Sequence, residues 1–172
     1  RRLGAVVQAY DVRPAVAEQI RSLGAKFVEL PLEVKDAEGK SAYAKELDES
    51  FLRRQREMMA RVLAESDGVI TTAAVPGKPA PKLITADMVA VMAPGSVIVD
   101  VVADRGGNCE LTRPGETVVE HDVQILGPTN LPSMVPSHAS QMYSKNMAAF
   151  LLHLVKKGEL QLNLEDNITR ET

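Results

Sequence analysis

Short apolar segments rich in β-branched residues alternate along this chain with segments whose apolar residues recur at helical spacing. The segments AVVQAY (5–10), GVITT (68–72) and SVIVDVV (96–102) have the length and composition of buried strands. Strands that alternate with helices pack as a parallel sheet with helices on its faces. The alternation therefore predicts an α/β fold with a doubly wound parallel sheet, in which SVIVDVV is covered on both faces.

The same patterns predict the remaining elements. Residues 31–44 are polar and lack a sustained apolar period, which indicates a long exposed loop. Residues 160–172 are expected to form an extended, charged tail. Helices are predicted over residues 15–23, 46–64, 85–92 and 137–156, and further strands over 26–30, 117–120 and 123–126.

Composition limits the classes of function. The formal charge of -3 gives no basic field for binding a phosphate backbone, so nucleic acid is not expected as a partner. The single cysteine, Cys109, excludes an internal disulfide and fits a reducing compartment. The longest apolar stretches, such as 147–155, are shorter than the roughly 20 residues of a membrane-spanning helix. We therefore expect a soluble domain without a transmembrane segment.

The opening residues RRLGAVVQAYD read as the end of a helix followed directly by a strand. In dinucleotide-binding folds a first strand and a glycine-rich phosphate turn precede this point, and neither is visible here. We therefore expect a Rossmann-like sheet that lacks its first strand and glycine-rich turn. Residues 1–157 form this partial dinucleotide-binding domain, and residues 158–172 form a C-terminal extension.

The carboxyl end of the first visible strand carries a candidate ribose ligand. In open α/β sheets, ligands bind in the crevice beyond the carboxyl ends of the strands. Asp11 at this position would accept hydrogen bonds from both adenosine ribose hydroxyls and repel a 2′-phosphate, which favours NAD. Two alternatives stay open: Asp11 caps the following helix, or the nearby Arg13 accommodates a 2′-phosphate.

The turn after the third strand is a second candidate. Thr72, Ala73 and Ala74 offer backbone groups and small side chains, which let a flat adenine or ribose approach closely. The alternative is a rigid, proline-rich connection without a ligand. For Gly106-Gly107-Asn108, a tight turn is the plain interpretation. The sequence has no GxSxG motif and no local zinc pattern, and hydride transfer between two nicotinamides needs positioning rather than an acid or base.

Three stretches together resemble one family. ITTAAVPGKPAPKLIT, MAPGSVIVDVVADRGGNCELTRPGE and SAYAKEL resemble the NAD(H)-binding domain, domain I, of the proton-translocating nicotinamide nucleotide transhydrogenases, which is related to alanine dehydrogenase. The resemblance covers residues 1 to about 167. It implies that Asp11, Val12 and Arg13 form the segment that binds ribose.

The resemblance also implies contacts from later segments. Ala42 and Tyr43 match the glycine and tyrosine of the family's mobile loop, which closes over bound nucleotide, and Ala42 departs from that glycine in a way that stiffens the loop. Gln55 and Ala74 match further NAD-contacting positions. No catalytic residue and no metal ligand are expected in this chain.

The family's activity implies the partners. In the whole enzyme, an oxidoreductase and translocase, hydride passes from NADH on this domain to NADP on a partner domain, coupled to proton movement through a membrane domain. The resemblance implies a homodimer on the cytoplasmic or mitochondrial matrix face of a membrane, and a chain that is inactive alone. The alternatives are an alanine dehydrogenase-type NAD-dependent enzyme and a non-catalytic scaffold.

Overall fold

The largest sheet has four strands in the order β3-β4-β6-β5. The computed structural model describes residues 3–13, 15–29 and 49–171, without the side chains of residues 49–54. Strands β3, β4 and β6 are parallel, and β5 pairs antiparallel with β6. The strands are β3 (Gly68–Thr71), β4 (Val97–Asp100), β5 (Thr117–Glu120) and β6 (Val123–Leu126). The predicted mixed α/β fold with a mainly parallel sheet is confirmed.

A second sheet precedes this one in the chain. Strand β1 (Gln8–Ala9) pairs parallel with β2 (Lys26–Phe27), and helix α1 (Val16–Ser22) connects them. Gly24, at φ +77°, lies just beyond the end of α1, where the left-handed conformation favours glycine. This β-α-β unit agrees with the predicted order, although regular pairing is confined to two residues of each strand.

Two helices follow, each where the apolar spacing predicts one. Helix α2 (Glu49–Ala64) agrees with the predicted helix from residue 49 onward, and positions 46–48 lie outside the described residues. Helix α3 (Ala86–Ala90) begins after Thr85, whose hydroxyl accepts a hydrogen bond from the Met88 amide at 3.4 Å. This is the N-cap expected of threonine.

One face of the four-stranded sheet carries the core. Helices α2 and α3 cover this face, and the residues buried there are Leu63, Ile84, Met88, Val89, Met92, Ile98, Cys109, Val123 and Ile125. On the opposite face Ile70 is 71% exposed, and Val97 and Val99 are only half-buried. The expectation that β4 is covered on both faces is therefore wrong for the described part of the chain, because its two sides differ in burial.

A buried polar turn follows β4. The side chain of Asp100 is fully buried and accepts hydrogen bonds from Thr112 Oγ1 at 2.7 Å and from the amides of Cys109 at 3.0 Å and Val102 at 3.3 Å. A 3₁₀ turn over Ala103–Arg105 leads into two glycines, both at positive φ. The chain thereby folds back over the end of β4.

The C-terminal region is more ordered than the sequence predicts. Helix α4 (Leu131–Met134), helix α5 (Pro136–Leu154), a hairpin of β7 (Val155–Lys156) with β8 (Glu159–Leu160), and helix α6 (Asn167–Glu171) follow one another. The extended tail is therefore wrong for residues 167–171. None of the helices in the described ranges is long and apolar enough to cross a membrane.

Asp166 holds α6 against the end of α5. Its carboxylate accepts hydrogen bonds from the Thr169 amide at 2.9 Å and Thr169 Oγ1 at 3.1 Å, and it lies 2.8 Å from Nε2 of His153. The Thr169 amide, followed by His153, lowers the pKa of Asp166 to about 2. A local side chain-to-backbone bond of this kind starts a helix that apolar periodicity does not announce.

The β5–β6 turn generates a first prediction. His121 and Asp122 have φ of 53° and 60°, as in a type I′ turn, where Asn-Gly is favoured. The double substitution His121→Asn with Asp122→Gly should raise the free energy of unfolding by about 1 kcal/mol, because it relieves two strained residues. Urea denaturation measures this, with Glu120→Asn in the adjoining strand as the control that should not stabilise. If the double variant has no higher free energy of unfolding than the parent, the assignment of a strained type I′ turn is wrong.

The glycine pair generates a second prediction. A Cβ on Gly107 would lie 2.6 Å from Asp100 Oδ2 and 2.9 Å from Thr112 Cβ, whereas one on Gly106 meets nothing within 4 Å. Both have positive φ, so they differ mainly in space. We expect Gly107→Ala to cost about 2–4 kcal/mol of stability and Gly106→Ala about 1 kcal/mol. If denaturant titrations give equal losses of stability for the two variants, the contacts with Asp100 and Thr112 do not determine the size of the side chain at residue 107.

Candidate functional site

The candidate site residues follow the carboxyl ends of parallel strands. Residues 10–13 follow β1, residues 72–74 follow β3, and residues 101–108 follow β4. We call these three stretches the rim segments. This is the edge at which open α/β sheets bind ligands.

Asp11 and Arg13 form a bidentate ion pair in the first rim segment. Arg13 Nε lies 3.0 Å from Asp11 Oδ1, and Arg13 Nη2 lies 2.9 Å from Asp11 Oδ2. The Arg13 amide also donates to Asp11 Oδ1 at 2.8 Å. The side-chain hydrogen bond from Arg13 lowers the pKa of Asp11. The carboxylate is thus held in one orientation, with its side chain 25% exposed.

This geometry bears on the alternatives for Asp11 and Arg13. Helix α1 begins at Val16 with Ala15 at the N-cap, and no side chain caps it, so the helix-cap interpretation of Asp11 is wrong. Asp11 instead closes a turn onto the residue two positions later, which is the usual local bond of aspartate. The Arg13 guanidinium is engaged by this carboxylate. Val12, between them, is 40% exposed.

A long-range hydrogen bond brings Gln55 to the first rim segment. Gln55 Nε2, on α2, donates to the Tyr10 hydroxyl at 2.7 Å. Tyr10 immediately precedes Asp11, so two of the predicted contact segments meet. Sequence reasoning did not single out Tyr10. Its signal was available, since a tyrosine hydroxyl at a strand end needs a polar partner when partly buried.

The second rim segment is anchored through its middle residue. Thr72 and Ala74 are exposed, whereas Ala73 is half-buried. The Ala73 amide donates to Asn108 Oδ1 at 3.0 Å, and the Ala73 carbonyl accepts from Asn108 Nδ2 at 2.9 Å. Of the three residues predicted to contact a nucleotide, Thr72 and Ala74 are therefore exposed, whereas the backbone of Ala73 is fixed by Asn108.

Asn108 has a larger part in this site than the sequence indicated. Besides Ala73, its Nδ2 donates to the Pro81 carbonyl at 2.8 Å, and the residue is fully buried. The tight-turn interpretation of Gly106-Gly107-Asn108 agrees with the positive φ of the two glycines but does not account for the asparagine side chain. A carboxamide placed just beyond a strand end was the signal, because it can both donate and accept.

Thr71 contributes a buried polar atom to the same edge. Its residue is 7% exposed, and its Oγ1 has no hydrogen-bond partner among the described residues. Most buried hydroxyls in proteins are hydrogen-bonded, so Thr71 Oγ1 is an exception to this pattern. Thr71 pairs in register with Asp100, at the ends of β3 and β4.

The other sequence hypotheses are placed as follows. Ala42 and Tyr43 lie outside the described residues, so their predicted contacts stay predictions. Burial raises the pKa of the Cys109 thiol, which disfavours the thiolate that a nucleophile requires. Within residues 3–13, 15–29 and 49–171, no group of three His, Cys, Asp or Glu side chains is arranged to hold a metal ion.

The structure therefore yields two groups of candidate residues. Asp11, Val12 and Arg13 follow β1, with Gln55 bonded to the preceding Tyr10. Thr72, Ala73 and Ala74 follow β3, and Asn108 holds Ala73. The two groups lie on different sheets. Their common nucleotide-binding edge stays a prediction.

Comparison with known proteins adds sequence evidence. The family model described as "Alanine dehydrogenase/PNT, C-terminal domain" matches residues 1–172. An NAD(P) transhydrogenase subunit alpha polypeptide of Rhodospirillum rubrum is 49% identical over 100% of this chain and 46% of its own length. Alanine dehydrogenase 1 of Staphylococcus aureus is 32% identical over 71% of this chain and 34% of its own length.

Solved structures give the same picture. Transhydrogenase from Sinorhizobium meliloti superposes with a TM-score of 0.77 at 41% identity, over 100% of this chain and 44% of that one. An L-alanine dehydrogenase gives a TM-score of 0.67 at 26% identity, over 91% and 39%. This chain thus spans about half the length of the relatives it matches, and over all 172 residues it belongs to the alanine dehydrogenase/PNT family, as its C-terminal domain.

Proposed function

We propose that this chain is the NAD(H)-binding part of the α subunit of a proton-translocating NAD(P) transhydrogenase. The observation that carries the proposal is the Asp11 carboxylate, fixed by Arg13 just beyond a parallel strand. A carboxylate at this place accepts the two hydroxyls of an adenosine ribose. The 49% identity to a transhydrogenase subunit over the whole chain supports the same choice.

The geometry of Asp11 leaves room for these bonds. Oδ1 already accepts two hydrogen bonds from Arg13, whereas Oδ2 accepts one. A carboxylate offers about four lone-pair sites in all, so acceptor capacity remains on Oδ2. Because Arg13 fixes the orientation of the Asp11 carboxylate, this side chain loses little further conformational entropy when the ligand binds. A 2′-phosphate would meet the same negative charge and be repelled.

The second group of residues fits the flat part of a nucleotide. Thr72 and Ala74 are exposed and small, and the unpartnered Thr71 hydroxyl lies directly before them. We propose that these residues admit the adenosine, with Gln55, Ala42 and Tyr43 as further contacts. A nicotinamide supplies the transferred hydride when it is bound. The residues of this chain then act by binding and orienting it, without an acid or base.

The whole protein's activity requires further partners. In our proposal, hydride passes from NADH here to NADP on a partner domain, coupled to proton translocation by a membrane domain on whose cytoplasmic or matrix face this homodimeric domain works. Exposed apolar side chains along α5, among them Met142, Tyr143 and Leu152 at 68%, 68% and 72%, support protein partners. Surfaces of this kind mark interaction sites.

We propose that residues outside the described ranges form the phosphate half of the site. Strands β1-β2 form one parallel sheet, and strands β3-β4-β6-β5 form a second sheet that is parallel except for β5. In a doubly wound fold, the strand that carries a glycine-rich phosphate turn occupies the position between two such halves. We propose that the complete subunit supplies this strand. The chain by itself is then a weak NADH binder and catalyses no transfer.

The ribose contact yields a prediction. In the complete subunit, Asp11→Ala should raise the NADH dissociation constant about tenfold, since it removes hydrogen bonds to a charged acceptor worth roughly 1–2 kcal/mol. The same change removes the carboxylate that repels a 2′-phosphate, so affinity for NADPH should rise. Fluorescence titration with both nucleotides measures the two constants.

A matched control separates this effect from a general loss of charge. Asp166→Asn removes another hydrogen-bonded carboxylate, at the start of α6, and should leave both dissociation constants unchanged. Unaltered NADH affinity in Asp11→Ala would assign Asp11 a turn-forming role only.

The reaction itself yields a further prediction. Purified complete enzyme should reduce NADP⁺ at the expense of NADH and should not oxidise NADH in a pyruvate- and ammonia-dependent manner. The reverse outcome would favour the alanine dehydrogenase alternative, which the 32% identity over a portion of the chain leaves as the second candidate. Self-association without NADH binding, seen by light scattering and titration, would favour a scaffold.

A further inference from the structure

The loop between β3 and α3, residues 72–84, is held by hydrogen bonds from side chains as well as from the main chain. Within the sheet, the Val101 amide donates to the Thr71 carbonyl at 3.1 Å. Beyond that bond the chain of β4 turns into the 3₁₀ segment Ala103–Arg105. Asn108 then takes the place of a neighbouring strand, because its carboxamide binds both the amide and the carbonyl of Ala73.

The loop has few donors of its own with which to form regular structure. Pro76, Pro79 and Pro81 lack an N–H. The Asn108 side chain satisfies the Pro81 carbonyl at 2.8 Å, and the Asn108 backbone carbonyl accepts from the amides of Leu83 at 2.8 Å and Ile84 at 3.0 Å. Asn108 therefore binds the loop at its beginning and at its end.

Lys82 and Ala80 add to the same attachment. Lys82 Nζ donates to the carbonyls of Gly106 and Cys109, and the Ala80 amide donates to the Arg105 carbonyl at 2.9 Å. All of these bonds attach the loop to the glycine turn. Thr72 and Ala74 stay exposed.

We propose that Asn108 is a positioning residue for NAD(H): it fixes the backbone of Ala73 so that Thr72 and Ala74 present their groups to the nucleotide. This inference rests on the proposed function. A carboxamide suits this role because one rigid group donates and accepts at once. Full burial excludes water from these bonds, so removal of the side chain leaves buried polar groups unpaired.

Two substitutions at Asn108 test the proposal in the complete α subunit. Asn108→Ala removes all three side-chain bonds. Asn108→Asp keeps the shape but, when ionised, places a carboxylate oxygen against the carbonyls of Ala73 and Pro81. Protonation of that carboxyl restores one hydrogen-bond donor. The loss of NADH affinity in Asn108→Asp should therefore become smaller as the pH is lowered.

The expected results are specific. Asn108→Ala raises the NADH dissociation constant about tenfold at every pH, and Asn108→Asp does so near pH 8 but recovers at least about threefold toward pH 6. In transhydrogenation, KM for NADH rises, while kcat at saturating NADH stays within about twofold of the parent. Lys82, Asp100 and Cys109 contact the same turn in both variants, so a difference between the two pH profiles belongs to the new carboxyl.

A stability-matched control isolates positioning from general loosening. Thr112→Val removes the buried bond to Asp100, in the same turn but not to the loop. It should lower Tm and leave the NADH dissociation constant within about twofold. All titrations are run well below each variant's Tm, and if Asn108→Ala does not fold, the pH dependence of Asn108→Asp carries the test.

Three outcomes would overturn the inference. These are parental NADH affinity in folded Asn108 variants, a flat pH profile for Asn108→Asp, or an equal loss of affinity in Thr112→Val. Failure of the proposed function gives a different result, because the unsubstituted subunit itself would then not bind NADH.

Discussion

The buried polar turn beyond β4 is the constraint on which this edge of the molecule depends. Asp100 and Asn108 are both fully buried, and each satisfies backbone groups that would otherwise be orphaned. Asp100 closes the turn on itself through Cys109 and Thr112, whereas Asn108 reaches across to the loop after β3. Buried polar networks rigidify a structure only when their members are satisfied. Here the satisfied network fixes the turn beyond β4 and the start of the loop after β3.

The uneven covering of the sheet leaves apolar side chains exposed on one of its faces. Helices α2 and α3 close one face around Ile98 and Ile125, while Ile70 on the other face is largely exposed. Helix α5 likewise has no buried residue in the described structure. The family relationship gives these surfaces a context, since the relatives are about twice as long as this chain. Contiguous exposed apolar surface is typical of interaction sites.

Much of the fold was predictable, and the failures have local causes. The strands Thr117–Glu120 and Val123–Leu126 have the predicted bounds, because alternating apolar residues and a turn between them specify a hairpin. Helix α6 was missed because a single carboxylate, Asp166, starts it rather than an apolar period. Asp11 and the 72–74 turn were predicted as ligand contacts from their place after strands, and these contacts stay predictions. The hydrogen bonds of the Asn108 side chain and of Tyr10 were not predicted, because their partners lie 35 and 45 residues away.

The sequence by itself determined the order of strands and helices from β1 to β6 and the residue types at the carboxyl ends of the strands, because periodicity and turn chemistry are local properties. It also carried the family relationship. Only the tertiary structure decided which side chains meet. The contact of Gln55 with Tyr10 and the support of Ala73 by Asn108 depend on the close approach of distant elements. Such contacts follow from packing, which brings distant residues together and which no local pattern encodes.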